Sequence, residues 1–312
     1  MNLRVAFLGQ NSSVTLDLLE AVQAHFNVVA LIESAPRGFD LRKYGDGLAA
    51  ARHRRNSLWR ISRRQRLAFF FLTPRNHDDL AAFIRIHSID VLCISAMSEL
   101  LKEPALSAAR LGAINFHPSL LPLYRGPNPW FWQYYDMDLK GGVSVFFLDA
   151  GEDTGDIALQ ETIQIPLGIP FAELQPIYLQ TGGRLFCQTL HAIAQGNCPR
   201  RNQRHSICPH RARGITRSEK LIQWGSWTID RIWHVLRGTL QWLDAVPFPP
   251  EAIPGDQWRA GDMIREPAEY EPGSLQRDAQ GYFAAHSEGK IRLELTHGNA
   301  HQHRSRTQNG GG

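Results

Sequence analysis

The chain has 312 residues, 43% of them hydrophobic, with 34 Lys and Arg against 30 Asp and Glu. That length suits one large domain with a small one, or two medium ones, with a sizeable core. No apolar run approaches the length of a bilayer-spanning helix, which excludes a helical membrane protein. The formal charge of +4 is unevenly spread: residues 37–66 hold ten Arg or Lys and two acids, an excess of +8. Such a segment can attract the phosphates of RNA, a nucleotide or a carrier, or form a solvated face. The start, Met1-Asn-Leu-Arg, shows no signal-peptide pattern, and the four cysteines show no close pairing. A cytoplasmic location is the expectation.

Residues 3–9 read as a buried strand ending at a glycine, followed by Gln10-Asn-Ser-Ser13 and a helix marked by Leu16, Leu18, Leu19 and Val22. Further strands are expected at 27–32, 67–72, 89–95 and 112–116, with helices near 76–87 and 102–110. Alternating short apolar strands and helices predict an α/β fold, a doubly wound, mostly parallel Rossmann-like sheet. Strands at 142–149 and 156–165 follow, then a helical pattern over 171–195 broken at Gly182-Gly183. Residues 197–213 lack periodicity and read as a linker. Beyond them come Thr216-Arg-Ser-Glu219, with capping-box spacing, and a helix with Ile229, Ile232, Trp233, Leu236 and Leu240 on one face. Short strand-like runs over 250–300 predict a smaller C-terminal β-rich domain. The expected division is therefore 1–200, a linker at 201–213, a β-rich domain at 214–300 and a disordered tail at 301–312.

Two runs carry the chemistry: Asn115-Phe-His117-Pro-Ser-Leu-Leu-Pro122-Leu-Tyr-Arg-Gly126 and Asp149-Ala-Gly-Glu-Asp153-Thr-Gly-Asp156. Each stands at the end of a predicted strand, the side of an open α/β sheet where ligands bind. Residues two apart on a strand point the same way, so Asn115 and His117 project together while Phe116 packs into the core. If the 142–149 strand neighbours theirs, Asp153 comes within reach of His117. An amide donor can stabilise an oxyanion, and an imidazole can relay protons near neutral pH. A carboxylate can orient that ring and help remove an amine proton through water. The trio suits transfer of a one-carbon acyl group to an amine.

The first run resembles the N-x-H-x-S-L-L-P signature of the folate-dependent formyltransferase family. Leu148-Asp-Ala-Gly-Glu-Asp-Thr-Gly-Asp156 resembles that family's second signature, a loop that wraps the pterin. The resemblance implies that Asn115, His117 and Asp153 are catalytic and that 10-formyltetrahydrofolate is the co-substrate. It implies that Asp149, Ala150, Gly151 and Glu152, with Ala96, Met97, Ser98 and Leu100, line the folate. It is clearest over 85–165 and weaker over 1–200. Glu219-Lys-Leu-Ile-Gln-Trp224 and the helix after it are similar to the C-terminal part of the family's methionyl-tRNA branch. That branch usually continues its first signature as R-G-A-A-P-I, where this chain reads Arg125-Gly-Pro-Asn-Pro-Trp-Phe-Trp132.

Gln10, Asn11, Ser12 and Ser13 are candidates for holding an acceptor phosphate, with an ordinary helix cap as the alternative. Arg125, Asn128 and Trp130 are further candidate acceptor contacts, the aromatic run from Trp130 to Tyr135 serving either a stacked ligand or the core. Cys198, His205, Cys208 and His210 match no common zinc spacing, and no metal cofactor is expected. The expected activity is N-formyl transfer from 10-formyltetrahydrofolate to a primary amine on a small metabolite, an amino sugar or a carrier-bound aminoacyl group. Methionyl-tRNA formyltransferase, formyltetrahydrofolate hydrolase and a non-catalytic folate- or RNA-binding protein are the alternatives.

Overall fold

The computed structural model describes residues 2–36, 57–97, 100–203, 207–208, 210–266 and 269–296. Most of the basic segment, the candidate Ser98, His205 and the tail at 301–312 thus lie outside the described residues.

The larger sheet contains β1 (Arg4–Gly9), β2 (Asn27–Ser34), β3 (Ala68–Leu72), β4 (Val91–Ser95), β5 (Ala113–His117), β6 (Lys140–Phe147) and β7 (Ile157–Gln164), in the order β3-β2-β1-β4-β5-β6-β7. The pairings from β3 through β5 are parallel, and β6 runs antiparallel to β5. This is the expected doubly wound, mostly parallel sheet, with β6 the reversed strand. The central strands are apolar throughout because both faces are covered: Val91, Leu92, Cys93 and Ile94 are all fully buried.

Helices α1 (Ser13–Gln23), α2 (Leu58–Gln65) and α3 (His77–Ile86) lie along this part of the chain. Residues 102–110 form successive turns, not the expected helix. Only isolated bonds such as Leu106 N–H to Lys102 O (3.0 Å) form there. The helix α5 (Phe171–Gln195) is continuous, against the expected break. Its paired glycines are packing positions: a Cβ on Gly182 would stand 2.4 Å from the Phe116 ring, and one on Gly183 2.6 Å from Ala21 Cβ. Phe116, as expected, faces the core and is buried. Among the described residues no helix is long and apolar enough to cross a membrane.

The chain forms two compact units that are discontinuous in sequence. One comprises 1–126, 142–163 and 177–211, the other 127–141, 164–176 and 212–312. The expected division runs along the chain instead. The difference arises from α4 (Pro129–Tyr135), whose aromatic side chains pack within the second unit. The Tyr134 ring lies 4.8 Å from His234, and Tyr135 lies 5.0 Å from Trp227. Core packing is the role these tyrosines take.

The second unit contains α6 (Ile229–Thr239) and a four-stranded antiparallel sheet of β8 (Gln257–Ile264), β9 (Leu275–Asp278), β10 (Gly281–His286) and β11 (Gly289–Thr296), ordered β8-β11-β10-β9. Ile229, Ile232, Val235 and Leu236 form the apolar face of α6 and pack with Trp258, Ile291 and Leu293. Thr228 caps the helix, accepting from the Arg231 N–H. The Thr216–Glu219 pair makes its capping-box bond, Thr216 N–H to Glu219 Oε2 at 2.8 Å, but over a turn and not a helix.

His234 ties α6 to the 164–176 segment. Its Nδ1 accepts the Gly168 N–H at 2.9 Å, and burial pushes its pKa down to about 4. An unfolded histidine titrates near ~6.5. As pH falls from there towards 4, the unfolded chain binds a proton that the folded chain refuses. Stability is therefore full above that window and declines through it, by up to about 3 kcal/mol. Urea unfolding of wild type and His234→Gln at about pH 7.5, above the window, and about pH 5, inside it, should show a larger acid loss in wild type. Equal losses would contradict this account.

Candidate active site

Asn115 and His117 occupy the carboxyl end of β5, where Ile94 of β4 pairs with Asn115 and Ser144 of β6 with His117. The segment after His117 is held down by Ser144. Its hydroxyl donates to Ser119 O (2.6 Å) and accepts from the Leu121 N–H (3.0 Å) and from Gln160 Nε2 (2.7 Å). Ser119 Oγ donates to Leu123 O at 2.7 Å. These bonds turn the chain so that Tyr124, at φ 56°, presents its carbonyl to the imidazole.

His117 is 5% exposed. Its Nε2 lies 2.8 Å from Tyr124 O, its Nδ1 3.6 Å from Asp153 Oδ2. A carbonyl oxygen only accepts, so Nε2 carries a hydrogen and donates it. The other edge faces Asp153. A proton on Nδ1 makes an imidazolium facing a carboxylate. Without it, Nδ1 and Asp153 Oδ2 present lone pairs side by side, 3.6 Å apart.

Asp153 reaches that position by a route strand order alone does not give. Because β6 is antiparallel to β5, with Ile114 opposite Phe147, the chain leaves β6 beside the start of β5. The 148–156 turn then folds back. Asp149 Oδ1 accepts from the Gly151 N–H (3.0 Å) and from Thr154 Oγ1 (2.7 Å). A Cβ on Gly155 would stand 1.9 Å from Phe147 O, so only glycine fits there. Asp153 itself is left-handed, at φ 55°, a conformation an Asp or Asn tolerates better than most residues. Its Oδ2 also accepts the Gly126 N–H at 2.8 Å.

The structure thus brings His117 and Asp153 together, with Asn115 two residues away on the same strand face. The half-buried Asn115 amide has no hydrogen-bond partner among the described residues. Of the expected folate-lining residues, Ala96 is left-handed (φ 45°) and its carbonyl accepts the Gln10 N–H at 3.1 Å. Leu100 is 54% exposed, and Asp149, Ala150 and Gly151 are exposed as well. Glu152 pairs with Arg211.

The acceptor candidates divide. Ser12 is the cap of α1, accepting the Thr15 N–H at 3.3 Å, and Ser13 opens that helix. Arg125 is buried, its Nη2 donating to Gln203 Oε1 at 2.8 Å. Asn128 donates to Arg213 O at 3.1 Å, and Trp130 meets Phe171 edge-on at 5.2 Å. Sequence reasoning missed Gln203, 1% exposed in the supposed linker. An isolated Gln in a polar stretch gives no signal. Among the described residues no cluster of three or more His, Cys, Asp or Glu is arranged to hold a metal.

A formyl transferase family model matches residues 3–175. The methionyl-tRNA formyltransferase of Pelotomaculum thermopropionicum is 28% identical over 296 residues, covering 94% of this chain and 90% of that protein. The corresponding protein of Ralstonia pickettii is 29% identical, covering 93% and 89%. Among solved structures, an N-formyltransferase from Helicobacter canadensis, in complex with folinic acid and dTDP-3-aminofucose, is 18% identical, with a TM-score of 0.65 and coverage of 94% and 100%. At that identity the likeness concerns the fold.

Proposed function

The chain belongs to the formyl transferase family, and from that premise we propose that it moves a formyl group from 10-formyltetrahydrofolate to the amino group of methionyl-tRNA. The observation that carries the chemical part is the Asp153–His117 pair, 3.6 Å apart with the opposite ring nitrogen fixed as a donor. The acceptor is supported by curated relatives named for that reaction, similar along 94% of the chain.

The amine nitrogen attacks the formyl carbon, a C–N bond forms, and charge gathers on the formyl oxygen. Asn115 donates its amide hydrogen to that oxygen. When Nδ1 also carries a proton, His117 adds a second donor. The attacking nitrogen releases its proton to Asp153, directly or through water. The bond from the formyl carbon to the donor nitrogen then breaks, and that nitrogen takes up the proton held by Asp153, relayed through water. The exposed loop residues Asp149, Ala150 and Gly151, together with the exposed Leu100, suit a pterin that needs backbone partners and an apolar contact. Formyl transfer is assigned to residues 1–200, and acceptor recognition to 214–300 together with the basic segment.

A second reading, an amino-sugar acceptor, is favoured by the chain Trp130–Phe171–Trp242, whose half-buried rings meet edge-on at 5.2 and 5.3 Å and offer a stacking surface. The two readings separate in one assay. With 10-formyltetrahydrofolate as donor, initiator methionyl-tRNA should be formylated and a dTDP-linked amino sugar should not. Raising salt from about 50 to 200 mM should weaken tRNA binding by roughly tenfold or more. Formylation of the sugar alone would replace the first reading by the second.

A further inference from the structure

We infer that Gln203 is a positioning residue for the Asp153 carboxylate, acting through a closed hydrogen-bonded ring that includes Arg125. The inference rests on the role proposed above for Asp153. Gln203 is 1% exposed and uses both ends of its side chain. Nε2 donates to Asp153 O (3.3 Å) and to Gly155 O (2.5 Å). Oε1 accepts from Arg125 Nη2 at 2.8 Å, and the same nitrogen reaches Gln203 O at 3.3 Å. The residue after Arg125 closes the ring, the Gly126 N–H donating to Asp153 Oδ2.

The Asp153 backbone and its carboxylate are therefore gripped from two sides by groups that also grip each other. Such a grip is needed, because a left-handed Asp in a glycine-bounded turn is not held there by its own preference. It also explains why a guanidinium is buried in a loop that otherwise reads as surface. Arg125 holds the one side chain that can donate to two carbonyls and accept from a cation at once, which only an amide does. Gln203 neighbours Arg201, whose backbone pairs with Ile157 in an isolated bridge, so the segment is docked along the sheet and not loose.

Gln203→Met keeps the length and volume but removes donor and acceptor. Gln203→Glu keeps the acceptor for Arg125 and sets oxygen against the two carbonyls. Turnover, read as loss of 10-formyltetrahydrofolate with initiator methionyl-tRNA present, should fall about tenfold to 10²-fold in each, the effect of a displacement on the order of 1 Å. In an Asp153→Asn background the same substitutions should cost nothing further, since their effect passes through that carboxylate. A substitution that merely loosens the fold would lower turnover by the same factor in both backgrounds, and that result would overturn the inference. If Asp153→Asn keeps wild-type turnover, the role of Asp153 fails instead, so the two failures are distinguishable. A crystal structure of whichever variant folds decides the point without an acceptor. The inference requires Asp153 to leave its place beside His117 Nδ1 while β5 and β6 superpose, and an unmoved Asp153 contradicts it.

Discussion

Asn115→Ala lowers formyl transfer by about 10²–10³-fold, the usual effect of deleting one oxyanion donor, while folding and donor binding stay near wild type. The reasoning is geometric. Asn115 stands on β5 opposite Phe146 of β6 and beside Ile94 of β4, so its backbone is fixed by the sheet. Its side chain makes no bond among the described residues that the fold would lose. The loss should appear in kcat with the donor KM little changed, because the charge on the formyl oxygen exists only on the way to the transition state. Steady-state kinetics over a range of donor concentrations checks this. A rise in KM with kcat intact would make Asn115 a ground-state binding group and would sink the assignment.

Asp153→Asn is the second large effect, a fall of about 10²–10⁴-fold, the range ascribed to a positioned proton-transfer group. This substitution is unusually clean. Asparagine tolerates the left-handed backbone at φ 55°, and its amide oxygen can still accept the Gly126 N–H. The turn is preserved and only the negative charge facing His117 Nδ1 is removed. If Asp153 were an ordinary turn residue, the variant would turn over like wild type. Its melting temperature should stay within a few degrees of wild type, which separates a lost charge from a lost fold.

Much of this arrangement was legible in the sequence, and the reasons are specific. Short apolar runs such as Val91-Leu-Cys-Ile94 mark strands covered on both faces, so the sheet could be read from them. Period-two alternation placed Asn115 and His117 together and Phe116 behind them. The reversal of β6 was not legible, since periodicity is the same for parallel and antiparallel neighbours. That is why the path of Asp153 around the 148–156 turn comes only from the structure. Gly182-Gly183 looked like a break because glycine weakens an isolated helix, but the Phe116 ring needs that space, and packing overrides propensity. Arg125 reads as a candidate acceptor contact because buried arginines are rare, and its partner lies 78 residues away in a stretch with no pattern.

The most direct test of the central claim follows the formyl carbon itself. The protein is incubated with 10-formyltetrahydrofolate labelled in the formyl group and with initiator methionyl-tRNA, and the label is located after the tRNA ester is hydrolysed. The account predicts label in N-formylmethionine, formed by wild type and reduced about 10²–10³-fold in Asn115→Ala. Label recovered as free formate, at equal rates with and without the tRNA, would make water the acceptor and contradict it.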